Sequence, residues 1–221
     1  EMKAEQADRQ GDFNYDVNWT SLGDYLTYLE TKGVSPNVAS FVGATTVRIH
    51  ELGEDDVDPT PEQQLRMDAL VREAMKEGAM GVGSSMIYAP ATYAETPELI
   101  SLVTEAAQCG GMYISHMRSE GDNIEKAVDE LINISRESGA PAEIYHLKMA
   151  GERNWDKLPV IVDKIESARD EGLRITTDMY TYTAGATGLD AAMPPWVQAG
   201  GHDAWVERLK DPSIREQVAL E

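Results

Sequence analysis

The sequence predicts an α/β fold in which about five parallel strands alternate with helices packed outside them, as in a (β/α) barrel. Three observations predict it. Glycines at 78, 110, 139 and 172 recur 32, 29 and 33 residues apart, the length of one helix, one strand and two short loops. Each of them closes an amphipathic run and opens a short apolar one. Two of the apolar runs, "GMYISH" and "PAEIYH", end on histidine, and strand C-termini are where barrels carry functional residues.

The elements follow in order. A helix-like "SLGDYLTYLETKG" (21–33) precedes a strand in "NVASFVG" (37–43). Residues 60–77 open with Thr60 as N-cap, Pro61 at the first helical position and Gln63 at the capping-box position. Leu65, Ala69, Leu70 and Ala74 then recur at helical spacing until Gly78 stops the run, and "AMGVGSS" (79–85) is the strand that follows. Residues 96–109 repeat the device: Thr96 reads as the cap, Pro97 follows it, and Leu99, Leu102, Val103 and Ala106 form the apolar stripe. Beyond Gly110 come a strand at 111–116, a helix at 122–138, a strand at 141–146, a helix at 156–171 and a strand at 173–178. "AAMPPW" (191–196) reads as a rigid turn leaving the repeat. An open doubly wound sheet competes with the barrel. No Gly-x-Gly-x-x-Gly turn follows any strand, however, so the dinucleotide-binding form loses its best support.

A chain of 221 residues suffices for one domain with a sizeable core. Its 39 acidic residues outnumber 19 basic ones, for a net charge of −20, and such a surface repels nucleic acid and anionic membranes. Neither is expected as a partner. No apolar run is long enough to span a membrane and no secretory signal opens the chain. The single cysteine excludes an internal disulfide, so a cytoplasmic location is expected. That residue, Cys109, sits at a helix end and reads as packing rather than as a nucleophile. The opening "EMKAEQADRQGDFNYD" reads as the middle of a protein.

Counted from the helix-closing glycines, Ser84, His116 and Asp178 fall six residues on and His146 seven. Neighbouring parallel strands lie about 4.8 Å apart, so these residues are expected to converge on one mouth. Two imidazoles there suit a shared divalent metal such as zinc, while the bland alternative is a pair of hydrogen-bonded strand-end histidines. No His-x-His or His-Glu-x-x-His completes a ligand set, and His50 and His202 stand in loop-like contexts as surface residues. Lys148 shares the strand face of His146 if that strand continues. It then holds a substrate carboxylate by charge, forms a Schiff base, or is a solvated loop lysine. Tyr180 and Tyr182 alternate onto one face with Asp178, to contact substrate or to satisfy one another. Arg118 and Glu120, also alternate, are expected to pair locally and set the loop after His116.

At these residues the sequence resembles the D-aminoacylase, or N-acyl-D-amino-acid deacylase, family of the amidohydrolase superfamily. The matching stretches are "NVASFVGATTVR" (37–48), "GAMGVGSSMIYAPATYAETPEL" (78–99), "YISHMRSEGD" (113–122), "EIYHLKMAGERNW" (143–155) and "DMYTYTAGATGLDAAMPPW" (178–196). The resemblance implies a hydrolase of N-acyl-D-amino-acid amide bonds on a TIM-like barrel, with one or two zinc ions. It implies His116 and His146 as metal ligands and Lys148 and Tyr180 as the grip on the substrate α-carboxylate; Arg118, Glu120 and Asp178, read from their positions beside these, are expected in support. Zinc would acidify a water and polarise the amide carbonyl.

In the family the first strand supplies a His-x-His pair, the second a cysteine ligand and the eighth an aspartate base. The resemblance covers strands three to seven. A family serine is Ala186 here, and a family proline between the tyrosines is Thr181. Residues 1–196 are therefore expected to form the central portion of a (β/α)8 barrel, and 197–221 the start of a helical excursion or lid. Such an interior segment would hold no catalytic residue of its own and be inactive alone. Its open edges imply a homodimer or marginal stability. Two readings stand beside this one: a non-catalytic fragment binding metal or an anionic small molecule at the strand ends, and a Schiff-base lyase using Lys148.

Overall fold

The computed structural model describes residues 15–221, so most of the opening stretch lies outside it. The chain divides into two compact units between Val38 and Ala39. The first contains helix α1 (Leu22–Lys32), capped by Ser21, whose hydroxyl accepts from the Asp24 amide at 3.2 Å. Trp19 packs on Tyr25 and Tyr28 of that helix, with ring centroids 5.3 and 4.7 Å apart.

In the second unit five parallel strands stand in chain order: β1 (Val42–Gly43), β2 (Gly81–Ser85), β3 (Met112–His116), β4 (Ala142–Ile144) and β5 (Ile175–Thr177). The helices between them are α2 (Ala44–Leu52), α3 (Pro61–Lys76), α4 (Thr96–Gln108), α5 (Ile124–Ser138) and α6 (Leu158–Asp170). This is the α/β repeat that the glycine spacing predicts. Helix α3 starts as its sequence dictates, with Thr60 and Gln63 exchanging both capping-box bonds. Helix α5 ends on Gly139 in the left-handed region, φ 74°, where a Cβ would be strained.

Three local expectations need correction, and one element went unread. Glu95, not Thr96, is the N-cap of α4, and the Thr96 hydroxyl donates to Glu130 instead. Residues 44–52 form a helix to which the sequence reading gave no element; its β-branched Thr45, Thr46, Val47 and Ile49 lower its helix propensity. His50 and His202 lie on helices rather than loops, α2 and α8 (Gly201–Arg208), though both are exposed. Cys109 is exposed rather than packed.

The core lies between the sheet and its helices. Val82, Tyr113, Ala142, Ile144 and Ile175 of the strands are buried against Val71, Leu102, Val128, Leu131 and Ile161 of the helices. One buried ion pair ties α2 to α4: Arg48 Nη1 lies 2.5 Å from Glu98 Oε2. Burial lifts the Glu98 carboxyl above its ordinary range even though Arg48 pulls it down. The opposite side of the sheet is barer, with Glu143 half-buried and accepting at 2.9 Å from an exposed Thr176 hydroxyl. After β5 the chain runs through α7 (Pro195–Gln198), α8 and α9 (Pro212–Leu220). Tyr93 donates its hydroxyl to the Pro195 carbonyl at 2.7 Å, fixing the start of this segment.

Candidate metal centre and substrate pocket

His116 is the last residue of β3, and its partner in register is Ser85 rather than Ser84. Ser84 pairs with Ser115 and belongs to the helix-facing side, where its hydroxyl lies 2.7 Å from the Tyr113 hydroxyl and 2.9 Å from that of Ser115. Counting from the glycines therefore misplaced Ser84 by one residue, which in a strand means the wrong face.

His146 reaches the site by a different route. Strand β4 ends at Ile144, paired with Ser115, so Tyr145 stands level with His116 and His146 lies one residue beyond. The backbone turns there: His146 has φ 39°, the left-handed region that few side chains adopt. Asp178 holds the turn. Its carboxylate accepts from the His146 amide, its carbonyl accepts from Leu147 at 2.9 Å, and its own amide donates to Ile144 at 3.2 Å. The turn brings the two imidazoles edge to face with ring centroids 4.5 Å apart.

Glu120 closes the group. Its Oε1 lies 2.8 Å from His146 Nδ1, 3.7 Å from His116 Nε2 and 2.6 Å from Lys148 Nζ. Lys148 also reaches His146 Nδ1 at 2.9 Å and the His146 carbonyl at 3.1 Å. The extended alternation assumed for Arg118 and Glu120 stops with β3 at His116, so these two do not pair. Arg118 instead makes a two-toothed contact with Glu130 and donates to the carbonyls of Thr92 and Ala94 at 2.7 Å each. Its role is to pin the loop after β2 onto α5.

The donor chemistry fits a divalent metal. Ligand atoms of His116, Glu120 and His146 all lie within 4.8 Å of one another, against about 3.4 Å for two atoms bonded tetrahedrally to one zinc. His116 Nε2 is buried and has no hydrogen-bond partner, the condition of a ring nitrogen aimed at something other than protein. Burial holds the His116 imidazole below its ordinary pKa, with His146 and Lys148 adding to the shift and Glu120 opposing it. It is therefore neutral at neutral pH, the form in which imidazole ligates.

Tyr180 stands beside this cluster, its ring 6.2 Å from that of His146 and 5.4 Å below Lys148 Nζ. A cavity of about 440 Å³ opens here, walled by His146, Lys148, Trp155, Met179, Tyr180 and Tyr182 among others. Tyr182 is largely exposed at its rim, because the chain leaves β5 at Thr177 and the alternation with Asp178 ends there. Sequence reasoning missed Tyr88, whose ring meets that of His116 edge-on at 5.5 Å. The signal for it was position: it follows β2 at the end of the sheet that carries the histidines.

No family model matches the chain. Individual relatives do. Over 171 residues the chain is 32% identical to N-acyl-D-glutamate deacylase of Alcaligenes xylosoxydans xylosoxydans, covering 77% of this chain and 35% of the relative. Over 168 residues it is 34% identical to D-aminoacylase of the same organism, covering 76% and 34%. The chain is homologous to the N-acyl-D-amino-acid deacylases. It spans about a third of the length of the curated relatives it matches.

Solved deacylases share its fold. A crystal structure of D-aminoacylase, described as defining a novel subset of amidohydrolases, matches with TM-score 0.71 and 32% identity over 75% of this chain and 35% of that one. N-acyl-D-glutamate deacylase from Bordetella bronchiseptica, solved with zinc and a phosphonate inhibitor, matches with TM-score 0.73 and 28% identity over 77% and 36%. The sheet of this deacylase homologue is thus the kind of scaffold its histidine, lysine and tyrosine segments led one to expect.

Proposed function

We propose that this chain is the central barrel portion of a zinc-dependent hydrolase that cleaves the amide bond of N-acyl-D-amino acids. The observation that carries the reading is the junction of His116, Glu120, His146 and Lys148 at the C-terminal end of a parallel sheet homologous to those deacylases. In this proposal His116 and His146 hold the metal, and Lys148 with Tyr180 receives the substrate carboxylate. When bound, zinc supplies an acidified water and a Lewis acid for the amide carbonyl. The chain's own residues orient the substrate: an ammonium on the cavity wall attracts a carboxylate, and the tyrosine ring beside it limits how that carboxylate can lie.

The supporting residues act through others. Asp178 fixes the turn at His146, and Arg118 fixes the loop that precedes α4. Residues 1–196 make the barrel portion in this reading and 197–221 begin a lid, in a cytoplasmic protein that self-associates through its open sheet edges. The decisive experiment loads the full-length protein with zinc and offers it N-acetyl-D-amino acids and their L-enantiomers. D-selective release of acetate is expected. Zinc bound without any amide cleavage would remove the substrate assignment.

A further inference from the structure

We infer that Glu120 is a third donor of the cation site, and that its carboxylate holds either the divalent ion or the Lys148 ammonium, so that metal uptake frees Lys148. The inference rests on the metal reading above and adds a coupling between metal and substrate lysine.

Glu120 is built into place rather than free to swing. Its carbonyl accepts from the Ala150 amide at 2.7 Å. Two residues on, Asp122 grips Arg153 through bonds of 2.7 and 2.8 Å and accepts from the buried Asn154 amide at 3.2 Å. The loop after β3 is thereby riveted to the turn that follows His146. One carboxylate oxygen then faces both imidazoles and the ammonium at once.

Lys148 Nζ and a metal ion would compete for the same atoms. Imidazole Nδ1 carries either a proton or one lone pair, and that lone pair serves an ammonium or a metal, not both. The ammonium lies within hydrogen-bond reach of His146 Nδ1 and Glu120 Oε1 together. A second cation on those two atoms would sit beside a like charge at contact distance in a half-buried site, where such repulsion is weakly screened. His116 Nε2, the buried nitrogen with no partner, is the one donor of the set that the ammonium leaves unused. Binding a divalent ion across all three donors satisfies His116 and expels Nζ toward the cavity that Lys148 already lines. A lysine so released is available to an anionic substrate only once the metal is in place, which orders the two events.

The test titrates the 221-residue chain with zinc against a chromophoric chelator, with circular dichroism confirming that each variant stays folded. His116→Ala must lose binding; if it binds as the wild type does, or the wild type takes no zinc, the metal reading itself fails. Given a site that depends on His116, Glu120→Gln is expected to weaken zinc binding by about tenfold or more. Lys148→Met is expected to tighten it by about tenfold, the effect of removing one nearby like charge. Unchanged affinity in either variant overturns the inference while leaving the metal reading intact. An independent arm needs no substitution: acetylation of Lys148, followed by mass spectrometry, is expected to speed up when zinc is added, with Lys164 as the internal reference. Equal or slower labelling overturns the release of Lys148.

Discussion

At the scale of single residues, the conformation of His146 depends on one carboxylate. A left-handed backbone costs a non-glycine residue about 1 kcal/mol or more, and here the Asp178 side chain offsets it by accepting the His146 amide. The backbone of Asp178 also bonds the residues around His146, its amide donating to Ile144 and its carbonyl accepting from Leu147, so the turn is clamped from both sides. Asp178→Ala removes the clamp and should lower zinc affinity by about 10–100-fold, the usual effect of losing a residue that orients a ligand. Asp178→Asn keeps an acceptor oxygen and should retain most of the affinity. Equal losses in the two variants would mean that charge, not the amide bond, matters at Asp178. The two histidines, Lys148 and Tyr180 were all legible in the sequence from strand-end position and motif. Glu120's place at the centre was not, because alternation beyond the end of a strand carries no information on which way a side chain turns. The one-residue offset between His116 and His146 was visible in the count from the glycines, but the left-handed turn that absorbs it was not.

At the scale of elements, the strands are held at their register by glycine where the backbones crowd. Gly81 opens β2 opposite Met112 with φ 149°, and a Cβ there would overlap the Met112 carbonyl oxygen and stand 2.6 Å from its nitrogen. Both obstacles are backbone, so the strands themselves would have to part. Gly81→Ala is therefore expected to cost about 3 kcal/mol, read as a drop in the urea midpoint, and to loosen the pairing that carries His116. Gly139→Ala, at a helix end with open space around the missing side chain, should cost only about 1 kcal/mol. Equal effects at the two positions would show that conformation alone, not the close approach of β2 and β3, accounts for Gly81. Helix ends were readable because caps and closing glycines act locally, as at Thr60 and Gly139. The helix at 44–52 was hidden by its β-branched residues, and its burial of Val47 and of the Arg48–Glu98 pair is a tertiary effect that no local pattern announces.

At the scale of the whole molecule, two forces oppose each other. Among the described residues the sheet has open edges at β1 and β5, with two and three residues respectively in register with their inner neighbours, and an incompletely covered side bearing Glu143 and Thr176. Unpaired strand edges invite a second copy, although strands this short offer few bonds to it. Against association stands a net charge of −20, which makes any two copies repel. Salt decides between them, because screening weakens the repulsion while leaving backbone pairing and apolar burial in place. Sedimentation should find monomers at about 0.01 M salt, where the Debye length is ~30 Å, and a growing dimer fraction at about 1 M, where it is ~3 Å. Proline at the exposed Thr177, whose amide faces away from β4, removes a donor from the β5 edge and should suppress the dimer if that edge forms it. A chain that stays monomeric at both salt concentrations has edges too short to pair, and its open sheet must then be protected by the charge and polarity of its own surface alone.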